Sequence, residues 1–254
     1  MHRQFAALLA LGLAFALLWV PFGQHKFLFE HWMKIGAFMA PFLVFVALAI
    51  HNNRSTPVYH DLQILSVLML ASYILHQVEE HWIDLTGTHY AFYGYVNALL
   101  RDALGAPENT EFLDPAGIFV INTSLVWLVG SFAILFSPKR IFPFLCMAAI
   151  TLINAVSHIA AALMTASYNP GLATSVLIFV PIALLGFYSA KNAGVSTIVA
   201  SLLWAILAHV VMVGGIIAVK SAQIISEETY FAMLIGISII VTLPSGNNSS
   251  DSSS

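Results

Sequence analysis

A histidine and two glutamates stand close together directly after a long apolar run. The run covers residues 62–75, and a His-x-x-Glu-Glu segment occupies residues 76–80. On a helix, Glu79 and Glu80 lie three and four residues after His76, so all three side chains can reach one face. An imidazole and two carboxylates that converge in an apolar setting are typical of a metal site or of a site that handles protons.

Two neighbouring residues are placed by the same helical geometry. Tyr73 precedes His76 by three residues and shares its face. His81 follows His76 by five residues, which turns it by about 140° around the helix. We therefore expect Tyr73 to border the cluster and His81 to point away from it.

The composition indicates where this cluster lies. Hydrophobic residues make up 59% of the 254 residues and charged residues only 8%, whereas soluble domains carry about 25% charged residues. A surface that faces water cannot be built from such a sequence, so we predict an integral membrane protein with the lipid bilayer as its partner. The formal net charge of -3 gives no indication of nucleic acid as a partner. The single cysteine, Cys146, excludes an internal disulfide.

Apolar runs long enough to cross a bilayer, roughly 17–25 residues, recur along the chain. Eight are predicted, at about residues 4–22, 33–50, 61–83, 116–136, 141–166, 172–189, 196–219 and 226–243. The first is interpreted as a retained span and not as a signal peptide. The eighth is the weakest, because Glu227 and Glu228 stand at its start. The predicted fold class is all-α, a polytopic transmembrane helix bundle of about seven or eight spans.

The spans are expected to form one integral-membrane domain over residues 1–244. Residues 245–254 are polar and of low complexity, and we interpret them as a disordered tail or a remnant of an expression vector. Residues 84–115 form the longest connection, and their aromatic start suits a membrane surface. The distribution of lysine and arginine between the two sides weakly favours an N-terminus on the inside.

Further polar residues are predicted within the bilayer, where a charged group costs about 2.5–3.5 kcal/mol. Asn154 and His158 share one face of the fifth span because they are four residues apart. A helix rises about 1.5 Å per residue, so the depth of each residue can be estimated from the end of its span. Measured from the side of the His-x-x-Glu-Glu motif, four residues lie at a similar depth of roughly 12–16 Å: His76, Asn122 in the fourth span, His158 in the fifth and His209 in the seventh. Taken alone, an asparagine or histidine in a span is more often a hydrogen-bonded packing residue. The shared depth favours one polar site.

Imidazole and carboxylate donors suit zinc or non-haem iron. The candidate ligands of this divalent metal are His76, Glu79, Glu80, His158 and His209. Glu79 and Glu80 are also the candidate catalytic carboxylates, since the one that does not bind the metal can act as a general base or bridge a second metal. Asn154, Asn122 and Tyr73 are predicted to support the ligands from outside.

These motifs resemble those of the HXXEE-domain family of bacterial membrane proteins. The family motif is matched at residues 76–80, and a second family signature, Asn-x-x-x-His, is matched at residues 154–158. The turn at residues 168–174 also resembles the stretch that follows this signature in the family. The resemblance covers a core of about residues 61–219 and implies a shared site without a known reaction. It also implies a bacterial inner membrane as the location.

Three functions stay open at this point. The first is a metal-dependent intramembrane enzyme that hydrolyses or oxidises a lipid-like small molecule. The second is a proton-coupled transporter in which Glu79, Glu80 and His158 relay protons, with Pro181 and residues 214–215 as candidate helix breaks. The third is a structural protein whose polar cluster locks helices together. The oligomeric state stays open as well.

Overall fold

Helices account for nearly all regular structure in the computed structural model, which describes residues 26–52 and 54–243. Eight α-helices follow one another in this part of the chain: α1 (Lys26–His51), α2 (Leu62–His81), α3 (Ala91–Leu104), α4 (Pro115–Phe136), α5 (Ile141–Thr165), α6 (Leu172–Ser189), α7 (Val195–Lys220) and α8 (Glu227–Ile240). No strand occurs in the described residues, so the predicted all-α class is confirmed.

Six of these helices, α1, α2 and α4 to α7, are long and apolar enough to cross a membrane. They correspond to the second to seventh predicted spans, which supports an integral membrane protein. The predicted first span at residues 4–22 and the polar tail at residues 245–254 lie outside the described residues. The predicted eighth span is α8, whose 14 residues measure about 21 Å. This length falls short of the roughly 30 Å hydrocarbon core of a bilayer.

Local sequence signals set several helix ends in the spans that carry the site. Asp61 begins α2, and its carboxylate accepts hydrogen bonds from two amides of the first turn. Asp114 begins α4 in the same way through Gly117, with Pro115 at the first helical position, where a missing N–H costs nothing. α5 ends at Thr165 and is capped by Ala166, which has a left-handed φ of 50°. The chain then turns back at residues 167–171 and enters α6 beside α2.

α5 lies at the centre of the bundle and packs against α2, α4, α6 and α7. Its first half, residues 143–151, is buried. Two glycines allow helices to approach closely, as small residues do in membrane bundles. A Cβ at Gly130 would lie 2.9 Å from Leu70, and one at Gly186 would lie 2.3 Å from Met69. The half of the bundle away from the His-x-x-Glu-Glu motif is therefore tightly packed.

Two spans change helix type near the site. α4 is π-helical over Thr123–Leu128, and α6 is π-helical over Ser175–Phe179. Such stretches are frequent at functional sites, and Phe179 packs its ring 4.3 Å from that of His76. Pro181 follows the π stretch in the first turn of a regular α segment, where proline is tolerated.

The second candidate break does not interrupt its helix. α7 continues through Gly214 and Gly215 as regular α-helix. Gly215 instead makes room for Tyr230 of α8, because a Cβ there would lie 2.2 Å from the tyrosine ring. The close packing of α8 explains this glycine without a broken helix.

The connection at residues 84–115 carries α3 and closes one side of the bundle. Asn97 fixes it in place from a buried position. Its Oδ1 accepts hydrogen bonds from the backbone amides of Phe112 (2.8 Å) and Leu113 (3.0 Å), and its Nδ2 donates to the carbonyl of Leu113 at 3.0 Å. One side chain thus joins α3 to the segment that leads into α4.

Replacing Asn97 with alanine is expected to loosen the connection at residues 84–115. The change leaves two buried amides and one carbonyl unpaired, and each unpaired buried group costs about 1–3 kcal/mol. We expect faster hydrogen exchange and faster proteolysis of this segment, measured by mass spectrometry in detergent. Asn192→Ala, in an exposed turn, is the control. Equal exchange rates in the two variants would contradict the role of Asn97.

Candidate metal centre

Three of the predicted residues come together where α2 faces α5. His76, Glu80 and His158 are buried, and one ligand atom from each lies within 4.8 Å of the other two. Nε2 of His76 is 3.4 Å from Oε2 of Glu80, and Nε2 of His158 is 3.4 Å from Oε1 of the same carboxylate. The i, i+4 spacing on α2 and the matching depth on α5 produce this cluster.

The second ring nitrogen of His76 is held by the turn between α5 and α6. Its Nδ1 lies 2.8 Å from the hydroxyl oxygen of Thr174. The hydroxyl hydrogen is directed at Glu79 (2.5 Å) or at the carbonyl of Gly171 (3.2 Å), which are both acceptors. The oxygen of Thr174 must therefore accept from Nδ1–H of His76. In the neutral ring this leaves the lone pair on Nε2, which faces Glu80.

His158 is oriented in the same way by Asn169. Nδ2 of Asn169 donates to the carbonyl of His158 at 2.9 Å, which fixes the direction of the amide. Its Oδ1 then accepts from Nδ1–H of His158 at 2.7 Å. The lone pair of this neutral imidazole also lies on Nε2. Two imidazole lone pairs and one carboxylate therefore point at each other in a buried space.

This set of donors fits a cation. With the neutral rings, no hydrogen lies between the ring nitrogens and the carboxylate, and 3.4 Å exceeds the roughly 2.7–2.9 Å of a charge-assisted hydrogen bond. Donors that bind one tetrahedral metal at about 2.1 Å lie about 3.4 Å apart. Two histidines and one carboxylate with open positions are the ligands of catalytic zinc sites and of non-haem iron oxygenases. The residues present thus fit either metal.

Glu79, predicted as a ligand and as a catalytic carboxylate, lies outside this group. Its Oε1 accepts from the hydroxyl of Tyr168 (2.8 Å) and the amide of Ala173 (3.1 Å). Its Oε2 accepts from the amide (2.7 Å) and the hydroxyl (2.5 Å) of Thr174. Burial and the nearby Glu79 carboxylate raise the pKa of Tyr168, so this phenol is protonated at neutral pH and donates. Glu79 therefore ties α2 to the first turn of α6, where the helix dipole favours a negative charge.

His81, which we expected to point away, lies beside Glu80. Its Nε2 is 3.0 Å from Oε2 of Glu80 and 3.1 Å from Nδ2 of Asn122. Helical phase separates the Cβ directions of neighbouring residues, but the long glutamate side chain reaches sideways. The indole of Trp127 donates to Oε1 of Gln77, and Nε2 of Gln77 donates to Oδ1 of Asn122. This fixes the orientation of the Asn122 amide, so its Nδ2 donates to Nε2 of His81. Asn122 therefore supports His81 and not one of the three clustered residues.

Three other predicted residues border the cluster without joining it. His209 donates from Nδ1 to the carbonyl of Ala205 at 2.9 Å, and it is not one of the three residues whose ligand atoms converge. Asn154, expected to orient an imidazole, donates instead to the hydroxyl oxygen of Tyr73 at 2.9 Å. The turn after α5 takes over this role because it folds back directly onto the ring of His158.

A cavity of about 390 Å³ opens beside the cluster. Glu80, His158 and His209 form part of its polar wall. Most of the lining is apolar and comes from α3, α4, α5 and α7, including Phe92, Leu99, Ile121, Val126, Ile150 and Met212. The His/Glu cluster therefore borders a mostly apolar cavity. This agrees with the prediction that the polar residues of these spans lie at one depth.

The turn at residues 168–174 contains site residues that were not predicted from the sequence. Asn169 and Thr174 orient the two histidines. Gly171 has a φ of 93°, and a Cβ there would lie 2.8 Å from Cε1 of both His76 and His158. Only glycine fits this position. The available signal was the family resemblance of the turn itself, since its polar residues follow no helical period.

Replacing Thr174 with valine is expected to lower metal affinity by about 10–100-fold, the usual effect of losing a residue that orients a ligand. Valine keeps the shape but cannot accept a hydrogen bond from His76. Thr174→Ser should restore most of the affinity, because serine keeps the hydroxyl. Competition with a chelator measures the affinity, with Thr165→Val at an exposed helix end as the control. Wild-type affinity in Thr174→Val would contradict the role of the hydroxyl.

One comparison with known proteins finds a similarity that covers this site. A family model described as "Protein of unknown function with HXXEE motif" matches residues 67–186. The match contains the motif at 76–80, His158 and the whole turn at 168–174, whereas residues 187–219 of the predicted core lie beyond it. No curated protein and no solved structure matches the chain significantly. The chain is similar to this family over residues 67–186, which is just under half of its length.

Proposed function

We propose that the protein is a metal-dependent intramembrane enzyme that acts on a lipid-like substrate. The observation that carries the proposal is the orientation of His76, Glu80 and His158. Hydrogen bonds from outside direct both imidazole lone pairs toward the carboxylate, next to an apolar cavity. Bound by these residues, zinc or ferrous iron supplies a Lewis acid that polarises a substrate oxygen or activates water.

The residues of the chain divide the remaining tasks. Asn169 and Thr174 keep the two histidines in the tautomer that presents Nε2. His209 lines the cavity and uses Nδ1 for its own backbone carbonyl contact, so Nε2 is free to accept a proton. A histidine in such a position is suited to general acid–base catalysis. We therefore assign to His209 the proton-transfer role predicted for a glutamate.

The cavity supports a lipid-like substrate. Its volume of about 390 Å³ lies within the range of roughly 300–1,000 Å³ that is common for small-molecule sites. Its walls are mostly apolar, and it lies among helices long and apolar enough to cross a membrane. Three protein ligands suit zinc-dependent hydrolysis, and the same ligands suit iron-dependent oxidation by dioxygen.

The alternative function is a proton-coupled carrier. The observation in its favour is that three imidazoles, those of His76, His81 and His158, surround the single carboxylate of Glu80. Such a group can hold and release a proton within a membrane. Two observations weigh against a relay: Glu79 is fully engaged by the turn, and α7 runs unbroken through residues 214–215.

Metal-loaded protein in lipid nanodiscs tests the two functions. Protein loaded with zinc, or with ferrous iron in the presence of dioxygen, is incubated with a bacterial lipid extract and analysed by mass spectrometry. We expect conversion of one lipid class, by addition of water or of oxygen, that Glu80→Ala abolishes. Metal-loaded protein that converts no lipid would reject the enzyme. Proton uptake by proteoliposomes that depends on Glu80 would then support the carrier.

A further inference from the structure

A second polar pair faces the cavity one turn deeper than the metal cluster. Asn154 precedes His158 by four residues and Tyr73 precedes His76 by three, so the pair continues the same two helix faces. Nδ2 of Asn154 donates to the hydroxyl oxygen of Tyr73 at 2.9 Å. Both residues line the cavity, and Tyr73 is only 2% exposed.

This pair leaves hydrogen-bonding capacity unused. Oδ1 of Asn154 is buried and has no partner among the described residues. The hydroxyl hydrogen of Tyr73 likewise has no acceptor in the part of the chain that the structure describes, since the only bond of this hydroxyl there is the one it accepts. Buried polar groups in native proteins are nearly always paired, so each exception calls for a partner.

The orientation of the amide does not remove this imbalance. If the amide of Asn154 is turned over, Oδ1 accepts from Tyr73, but the two hydrogens of Nδ2 then lose their acceptor. Either way, the pair presents unpaired polar atoms to the cavity. A hydroxyl group that enters the cavity, from water or from a ligand, can supply the missing partner.

We propose that Tyr73 and Asn154 bind a hydroxyl group on the chain of the substrate. A hydroxyl oxygen accepts from the phenol, and its hydrogen is donated to Oδ1 of the amide, so one group completes both residues. A carboxylate has no hydrogen to donate and would lie close to Glu80. An alkane or an ether leaves the amide oxygen unpaired. The proposal names the substrate class of the proposed enzyme, a hydroxylated lipid chain, and rests on that function.

The site lies about 5 Å deeper in the bundle than the metal cluster, since three to four residues separate the two levels. Tyr73 and Asn154 would therefore recognise the chain next to the position where it reacts. A lipid whose hydroxyl binds this pair is held at one position along the cavity, with a fixed part of its chain beside the metal cluster. This explains why a mostly apolar chamber contains an incomplete polar pair away from the cluster.

Photolabelling of metal-free protein tests the proposal separately from the enzyme. The probes are a long-chain primary alcohol that carries a diazirine, and its methyl ether. We expect the alcohol to label cavity residues of the wild type about tenfold more strongly than the ether, the size of one or two good hydrogen bonds. Tyr73→Phe and Asn154→Leu should each reduce this preference to about twofold or less. Ser157→Ala should retain it, because Ser157 lines the same cavity but bonds to the carbonyl of Ile153.

Each outcome decides the matter. Equal labelling by the two probes in the wild type would overturn the proposal, as would a tenfold preference that persists in Tyr73→Phe. An unfolding temperature of Tyr73→Phe close to that of the wild type shows that this variant is folded. Because the probes are used without metal, a protein that lacks the proposed metal can still show the preference, so the two proposals fail separately.

Discussion

His76→Ala and His158→Ala are each expected to abolish stoichiometric metal retention. Each change removes one of three donors, so only one of the two imidazoles of the cluster remains beside Glu80. The metal content of the purified variants, measured by inductively coupled plasma mass spectrometry, checks this result. Both variants must first be shown to remain folded, because removing a buried polar partner also affects stability.

His60→Ala is the matched control for these losses. His60 is exposed in the short turn before α2, so its removal leaves the donor set intact. His81→Ala is expected to lie between these extremes, with affinity lowered by about 10–100-fold, because His81 contacts Glu80 without completing the cluster. Equal metal content in the His76, His158 and His60 variants would reject this coordination.

Gly171→Ala is expected to have the second large effect. The added Cβ would lie 2.8 Å from Cε1 of His76 and of His158, a distance at which one ring or the turn must move. Both imidazole rings pack against Gly171, so the movement disturbs two ligands at once. We therefore expect metal affinity to fall by at least about 100-fold. Affinity is measured by chelator competition, and the unfolding temperature is measured beside it.

Gly194→Ala separates the steric effect from backbone strain. Gly194 also has a positive φ, 80°, but nothing lies within 4 Å of a Cβ placed there. Both substitutions carry a similar backbone penalty, on the order of 1–3 kcal/mol. Only Gly171→Ala should lose metal. If the two variants bind metal equally well, the contact between Gly171 and the imidazoles does not hold the site together.

Hydropathy and helical period were sufficient for the scaffold and for the centre of the site. A span must be apolar over a length set by the bilayer, so six spans are predictable close to their observed bounds. The i, i+4 spacing then brought His76 and Glu80 together, and depth brought His158 to the same level. These features depend on regular helix geometry, which can be predicted from the spacing of residues in the sequence.

The remainder of the site depends on irregular structure and on side-chain reach. Helical phase allowed both Glu79 and Glu80 to face the cluster. The turn at residues 168–174 decides between them, because its donors engage Glu79. His81 was misplaced because the carboxylate of Glu80 bends toward it. No periodic pattern specifies either arrangement.

X-ray absorption spectroscopy of the metal-loaded protein tests the central claim most directly. The proposal expects one zinc or iron per chain, with nitrogen and oxygen donors at about 2.0–2.1 Å. It also expects the outer-shell scattering of two imidazole rings, which report His76 and His158. A metal surrounded by oxygen donors without imidazole scattering would contradict the claim, and so would protein that retains no metal after loading.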